Sequence, residues 1–270
     1  MSYELMTVFL VICVMGKIIG VCNQKGGTGK TTTAINIASY LALSGKEVLL
    51  IDMDPQGNAT SGVGFDNTDK NSIYDVIAGT KTLQESIYPT QWPHFSLMPS
   101  TVALTGSEIE LVNVENRELQ LKRELDKIKD NFSYLIIDAP PSLGLLTVNV
   151  LCACDSLVIP VQCEYYALEG VAKLVNTIEL VRQRFNPDLE IEGILLTMAD
   201  FRTRLSLQVI EEVRGFFKEK AFNSIVPRNI RLAEAPSFGQ PIHFYDQYCV
   251  GAKAYLNLAQ EILKEPIKLN

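Results

Sequence analysis

The stretch from Asn23 to Thr33 reads N-Q-K-G-G-T-G-K-T-T-T, and it decides the fold. A short apolar run, Lys17 to Cys22, comes directly before it, and the apolar residues after it have helical spacing. A glycine-rich turn between a strand and a helix lets backbone N–H groups surround an anion, while the helix points its positive end at the same place. The stretch therefore predicts a phosphate-binding loop.

This phosphate loop departs from the ordinary pattern G-x-x-x-x-G-K-[ST] at one position, because Gln24 stands where the first glycine is expected. Lys30 is predicted to reach the β- and γ-phosphates of a bound nucleotide. The Thr31 hydroxyl is predicted to bind Mg²⁺, with Thr32 near the α-phosphate. The remaining nucleotide contacts are assigned to the backbone of the loop, namely Gly26, Gly27, Thr28 and Gly29. ATP and Mg²⁺ are thus the expected ligands.

Continuous apolar runs alternate with amphipathic helical stretches along the rest of the chain. Such alternation predicts a single-domain α/β P-loop NTPase with a mostly parallel, twisted sheet and helices on both faces. The predicted strands are Lys17 to Cys22, Val48 to Ile51, Tyr134 to Ile137 and Leu157 to Val161. The predicted helices, besides the one after the phosphate loop, are Glu108 to Lys129, Leu168 to Phe185, Leu205 to Lys220 and Ala252 to Lys264.

The domain is expected to occupy residues 16–270, preceded by an extension, residues 1–15. That extension carries an apolar run from Met6 to Met15 that is about half the length needed to span a bilayer. It lacks the basic start and the cleavage site of a signal peptide, and Met15-Gly16-Lys17 resembles a natural start. A disordered or artefactual segment is the favoured interpretation, and contact with a membrane or a partner is the alternative.

Charge and cysteine content limit the possible functions. The net charge of −7 argues against a uniformly basic nucleic-acid binder, but residues 201–231 hold seven basic and three acidic side chains. The six cysteines mostly lie in apolar runs, which is typical of reduced, buried residues in a cytosolic protein. Cys152 and Cys154 supply too few ligands for a closed metal site.

Acidic residues follow two of the predicted strands, at the sheet edge where α/β proteins bind ligands. Asp138 ends the run Y-L-I-I-D, the arrangement in which a Walker B carboxylate holds Mg²⁺, usually through water. Asp52 and Asp54 follow V-L-L-I and would point to the same side if the strand continued that far. These carboxylates are therefore candidate residues of the ligand-binding site.

The sequence K-G-G-T-G-K-T-T resembles the deviant Walker A signature of the ParA/MinD group of ATPases, whose hallmark is the lysine at position 25. The resemblance implies that two subunits close face to face over two ATP molecules, and that Lys25 reaches the partner's nucleotide. It also implies that Asp54, in D-x-D-P-Q, orients or activates the attacking water, while Asp52 lies near Mg²⁺. Lys25, Lys30 and Asp54 are thus the expected catalytic residues.

The resemblance covers nearly the whole chain from Gly16 onward and is greatest to chromosomal, Soj-like ParA partitioning proteins. In the segment I-V-P-R-N-I-R, Pro227 and Asn229 match residues that flank and hydrogen-bond the adenine base. Pro266 interrupts any C-terminal amphipathic helix, which disfavours a MinD-like membrane anchor.

Membership of that group implies a cytoplasmic, nucleoid-associated ATPase with slow turnover, which binds DNA non-specifically as a homodimer and responds to a ParB-type partner. A MinD-like or cargo-positioning ATPase is the alternative. The expected DNA contacts come from the basic segment, although a solvated helix face would also explain it. They are Arg202 and Arg228, followed by Arg204 and Arg231.

Overall fold

Eight strands form one sheet in the computed structural model, which describes residues 16–165 and 167–269. They are β1 (Lys17–Val21), β2 (Val48–Asp52), β3 (Tyr88–Pro89), β4 (Phe95–Met98), β5 (Tyr134–Asp138), β6 (Ser156–Gln162), β7 (Glu190–Ala199) and β8 (Ala221–Pro227). The spatial order is β3-β4-β2-β5-β1-β6-β7-β8, and every pairing is parallel except the antiparallel pair β3 and β4. The expected extension, residues 1–15, lies outside the described residues.

Helices connect the strands. They are α1 (Lys30–Leu43), α2 (Asn58–Gly62), α3 (Ile73–Ile77), α4 (Leu104–Glu110), α5 (Gln120–Leu125), α6 (Leu145–Ala153), α7 (Ala167–Arg184), α8 (Arg204–Phe217), α9 (Ile230–Glu234), α10 (Ile242–Asp246) and α11 (Val250–Leu263). Within the described chain, none of them is both long and apolar enough to cross a membrane.

Two apolar layers cover the two faces of the sheet. Ile18 belongs to the layer that contains residues of α6, α7 and α8, whereas its neighbour Ile19 belongs to the layer of α1 and α11. Leu135 and Ile136 of β5 divide in the same way, because successive side chains of a strand point to opposite faces. The α/β class, the mostly parallel sheet and the helices on both faces are therefore confirmed.

One predicted helix is wrong. The region from Glu108 to Lys129 contains the end of α4, short 3-10 turns and α5 instead of one continuous helix. The helical path is interrupted at Asn116, which has a φ of 53° and lies in the left-handed region that asparagine tolerates better than most residues. The sequence analysis also did not predict the strands β3, β4, β7 and β8.

The cysteines are as expected over the described chain: four are buried, Cys249 is half-buried, and all five are free.

Candidate nucleotide and magnesium site

The phosphate loop connects β1, in the middle of the sheet, to the first turn of α1. Gly27 and Gly29 have φ angles of 73° and 87°, a conformation that side chains disfavour. A Cβ atom added to Gly26 or Gly27 would meet nothing within 4 Å. The protein itself therefore leaves room for a side chain at Gly26 and at Gly27. The bare backbone leaves an open concavity at the N-terminus of α1, as anion binding requires.

Hydrogen bonds fix the loop to neighbouring strands before any ligand arrives. The side-chain amide of Asn23 donates to the Pro160 carbonyl of β6 at 2.6 Å, and its oxygen accepts from the Lys25 amide at 3.0 Å. Thr28 is buried, and its carbonyl accepts from the Thr197 hydroxyl of β7 at 2.9 Å. These contacts pre-organise the loop, so that binding orders fewer groups.

Lys30 is a buried cation beside buried carboxylates. Its Nζ donates to the Lys25 carbonyl at 3.3 Å. Burial is the main influence on the Lys30 pKa and lowers it, while the nearby Asp138 and Asp54 act in the opposite direction. An ammonium group placed in this way is suited to the charge of a nucleotide phosphate.

Asp138 ends β5, next to Asp52 at the end of β2, and the two residues are register partners in the sheet. Both carboxylate oxygens of Asp138 are buried, with no hydrogen-bond partner among the described residues. Burial raises the pKa of Asp138 well above its usual range, and the charge of Asp52 raises it further. The side chain of the nearby Thr31 and the positive charge of Lys30 lower this pKa and so oppose the shift. A buried carboxylate without a partner beside a threonine hydroxyl provides the oxygen ligands that Mg²⁺ takes, so Asp138 and Thr31 fit this ion.

Asp52 is equally buried, but its oxygens are occupied. Oδ1 accepts from the Asp54 amide at 3.1 Å, and Oδ2 accepts from the amide and the hydroxyl of Thr60 at 2.8 and 2.7 Å. Burial raises the pKa of Asp52 to about 6, and these hydrogen bonds partly counteract the rise. Asp52 therefore lies beside Asp138 at the predicted metal site, but both of its carboxylate oxygens accept hydrogen bonds from the protein. Its metal role stays a prediction.

Asp54 lies just beyond the end of β2 and is buried. Its Oδ1 accepts from the Gln56 amide at 3.0 Å, and its carbonyl accepts from the Gly57 amide at 2.9 Å. A tight turn therefore fixes this carboxylate where it influences the pKa values of Lys30 and Asp138. That position is compatible with the predicted role toward the attacking water.

Lys25 is half-exposed and forms an ion pair in its own subunit. Its Nζ lies 3.0 Å from Glu164 Oε2, and the other oxygen of Glu164 accepts a short hydrogen bond from Gln162. Sequence reasoning did not identify Glu164. The rule that led to Asp54 and Asp138 would have found it, because Glu164 follows the carboxyl end of β6, directly beside β1.

A cavity next to the phosphate loop is suited to the base. Pro227 and Asn229 line it together with Gly29, Thr32 and Met198. The two residues predicted to contact adenine therefore share one concavity with the residues predicted to contact phosphate. Met198 is an addition to the prediction. Its φ of 52° is unusual for a long side chain, and backbone strain of this kind clusters at functional sites.

The four arginines predicted to contact DNA all follow the carboxyl end of β7 or β8, on the same side as the nucleotide site. Arg202 is 88% exposed and forms two 2.8 Å hydrogen bonds to Asp200. Arg231 pairs with Glu234 at 3.0 Å and with Asp246 at 3.4 Å. Arg204 is exposed at the start of α8, and Arg228 lines the base cavity.

A parallel sheet with a phosphate loop, a buried lysine and strand-end carboxylates defines a P-loop nucleotide-binding protein. A family model described as an AAA domain matches residues 16–191. The Bacillus subtilis sporulation initiation inhibitor protein Soj is 54% identical over 92% of this chain and 98% of its own. The Myxococcus xanthus chromosome partitioning protein ParA is 53% identical, over 93% and 89%. The chain belongs to the Soj/ParA family of chromosome-partitioning ATPases, within the ParA/MinD superfamily, and it is an ATPase.

Solved structures share this fold. Cobyrinic acid a,c-diamide synthase from Mycobacterium smegmatis, with a bound ATP analogue and magnesium, is 36% identical with a TM-score of 0.82, over 92% of this chain and 94% of that one. The cell division ATPase MinD of Pyrococcus furiosus is 26% identical with a TM-score of 0.79, over 93% and 99%. The nucleotide and magnesium of the first structure are consistent with the ligands predicted here.

Proposed function

We propose that this ATPase partitions chromosomal or plasmid DNA through an ATP-dependent cycle. ATP binding closes a sandwich homodimer, the dimer binds DNA without sequence specificity, and a ParB-type partner stimulates hydrolysis and release. The similarity to Soj and ParA over at least nine-tenths of the chain carries this proposal. The presence of the hallmark lysine, Lys25, supports the two-subunit site.

Each site residue has a role in the proposed cycle. Lys30 and the backbone of the phosphate loop bind the phosphates, and Pro227 and Asn229 bind the base. Thr31 and Asp138 would hold Mg²⁺, which when bound neutralises charge on the phosphate oxygens. Asp54 orients the attacking water. The long-range hydrogen bonds from Asn23 to β6 and from β7 to Thr28 hold the phosphate loop in place.

Lys25 must leave Glu164 to act on the nucleotide of a partner subunit. The two side chains are 40% and 47% exposed, so the ion pair contributes only about 0–1 kcal/mol. Breaking the ion pair between Lys25 and Glu164 therefore costs little free energy when the dimer closes. Once in the partner's site, Lys25 would stabilise transition-state charge, a role for which arginine fingers contribute roughly 10³- to 10⁵-fold in rate.

The arginines after β7 and β8 give the proposed dimer its DNA contacts. Because neutralised phosphates release counterions from DNA, such binding weakens as salt rises. Dimerisation brings two copies of each arginine to one DNA segment. DNA binding would then depend on ATP, because only the ATP-bound dimer presents both copies together. The contact between each single arginine and a DNA phosphate would be the same in the monomer and in the dimer.

Co-sedimentation tests the proposal directly. The protein is mixed with non-specific DNA or with anionic liposomes, each with and without ATP, and its ATPase rate is measured with and without DNA and a ParB-type protein. We expect ATP-dependent sedimentation with DNA, no sedimentation with liposomes, and a slow basal rate that rises when both partners are added. A high basal rate, or no ATP-dependent DNA binding, contradicts the proposal.

A MinD-like or cargo-positioning ATPase is the second candidate, because the MinD structure shares the fold over nearly the whole chain. The same experiment separates the two. ATP-dependent sedimentation with liposomes and none with DNA would favour the second function.

A further inference from the structure

A buried hydrogen-bond network starts at Asp52 and extends to α2 and to the segment after β4. The hydroxyl of Thr60 donates to Asp52 at 2.7 Å and accepts from the Ser100 amide at 3.0 Å. Asp52, Thr60 and Ser100 are all at most 2% exposed. The network therefore links the end of β2, the first turn of α2 and the segment after β4.

This network also determines where Asp54 lies. Asp52 Oδ1 accepts from the Asp54 amide, so the carboxylate at the strand end holds the backbone of the next turn. The turn continues from Asp54 to Gly57, whose φ of 65° leads into α2. Asp54 is thus held from both sides, by Asp52 on the strand and by α2, which Asp52 also anchors through Thr60.

The same hydrogen bonds conflict with a role as a direct metal ligand. Both donors at Oδ2 come from one residue, and the backbone amide of Thr60 cannot reorient without movement of α2. A buried amide deprived of its acceptor is strongly unfavourable, because it regains neither a protein partner nor water. Asp138, whose two oxygens lack a protein partner in the described chain, has no such conflict.

We propose that Asp52 is a positioning residue for hydrolysis, which together with Thr60 holds the Asp54 turn in its reactive geometry, and that it is not a magnesium ligand. The proposal rests on the proposed role of Asp54 in hydrolysis. Small displacements of a reacting group are costly, since about 1 Å of misplacement can reduce a rate 10²-fold.

Thr60 provides the discriminating test, because it belongs to the network and is not among the predicted metal ligands. The variants are Asp52→Asn, Thr60→Val, Thr60→Ser and the double variant Asp52→Asn/Thr60→Val. For each we would measure the rate at saturating ATP, the Mg²⁺ concentration that gives half-maximal rate, the affinity for a fluorescent ATP analogue, and the thermal unfolding midpoint. Ser61→Ala is the matched control, since Ser61 is exposed on the same helix and its hydroxyl donates to the Gly57 carbonyl, which keeps its hydrogen bond from the Ser61 amide in this variant.

Asp52→Asn and Thr60→Val should each lower the saturating rate by about tenfold or more, with the half-saturating Mg²⁺ and the analogue affinity within about twofold of wild type. Thr60→Ser should restore most of the rate, and the double variant should be little slower than either single variant, because both changes break one unit. A comparable loss in Ser61→Ala, or a Thr60→Val rate equal to wild type, overturns the proposal.

A magnesium ligand would behave differently. In that case Asp52→Asn would raise the half-saturating Mg²⁺ concentration severalfold while Thr60→Val left it unchanged, which also overturns the proposal. A separate variant tests the proposed role of Asp54 in hydrolysis, on which this inference rests. If Asp54→Ala hydrolyses ATP at the wild-type rate, then the role of Asp54 is wrong, whatever the Thr60 variants do.

Discussion

Lys25 is proposed to act on the nucleotide of a partner subunit, whereas in the single subunit it pairs with Glu164 of its own chain. Mixed dimers test whether it acts across the interface. Neither Lys25→Ala nor Asp54→Ala should turn over ATP alone. An equimolar mixture should recover activity, because one site of the mixed dimer combines an intact Asp54 with an intact Lys25 from the other subunit. The measurement is the phosphate release rate of the mixture.

The control for this experiment is the mixture of either variant with itself at the same total concentration. If Lys25 acted on the nucleotide of its own subunit, each site of the mixed dimer would lack one of the two residues. The mixture would then be as inactive as its components.

His243 on α10 gives a prediction about pH. Its ring packs against Tyr40 and Phe244, with centroids 5.6 and 5.2 Å away, and burial lowers the pKa of His243 from its ordinary value of 6.5. Below that value His243 binds more protons in the unfolded chain than in the folded chain, so its own contribution to the free energy of unfolding should fall as pH decreases below 6.5, whereas the raised pKa values of Asp52 and Asp138 act in the opposite direction. In chemical denaturation, the free energy of unfolding of the wild type relative to that of His243→Phe should therefore fall as pH decreases below this value. An unchanged pH dependence in that variant would contradict the prediction.

At the scale of single residues, the sequence predicts what lies close together along the chain. Gly27, Gly29 and Lys30 stand within one motif, and the structure shows the backbone conformation and burial that the motif requires. The contact that holds the loop is not predicted in this way, since the Thr28 carbonyl accepts a hydrogen bond from Thr197, which is far away in sequence. Such pairs depend on strand order, which a single sequence does not specify.

At the scale of elements, the segment between β7 and α8 carries the clearest test of DNA binding. Arg202 holds the pKa of Asp200 low, at about 2, so Asp200 stays charged and occupies one edge of the guanidinium group. A DNA phosphate must compete with that carboxylate. Asp200→Asn should therefore strengthen ATP-dependent DNA binding by about twofold to fivefold, in line with the small contribution of exposed ion pairs. Fluorescence anisotropy with labelled DNA is the measurement.

Arg202→Ala is the paired variant. It should weaken DNA binding and reduce the slope of log affinity against log salt by about 0.9 for each phosphate that the protein no longer neutralises, while ATP turnover without DNA is unchanged. Weaker DNA binding by Asp200→Asn would show that Asp200 orients the arginine for DNA instead of competing for it.

The predicted elements that the structure confirms and the one that it contradicts differ in a physical way. The strands β1, β2, β5 and β6 are buried and carry apolar residues almost throughout, so the sequence pattern identifies them. The region from Glu108 to Lys129 also has apolar residues at helical spacing, but Val112 and Val114 are exposed and the left-handed backbone of Asn116 interrupts the helix. Periodicity alone does not show where a helix stops.

At the scale of the whole molecule, trapping the ATP-bound state tests the proposed dimer. Asp54→Ala keeps the phosphate loop, Lys25 and Asp138, so it should bind ATP and dimerise without completing hydrolysis. Size-exclusion chromatography with light scattering should show a persistent dimer with ATP and Mg²⁺ and a monomer without them. Lys30→Ala should stay monomeric under both conditions. A monomeric Asp54→Ala in saturating ATP would contradict the sandwich dimer.

The end of β7 joins the proposed nucleotide and DNA contacts on one short piece of backbone. Thr197 holds the phosphate loop, Met198 lines the base cavity, the Ala199 carbonyl accepts from the Arg228 amide at 3.0 Å, and Asp200 pairs with Arg202. Mutations in this stretch should therefore be pleiotropic. A variant selected for altered nucleotide preference will carry a change in DNA affinity with it, so the two traits cannot evolve independently at these positions.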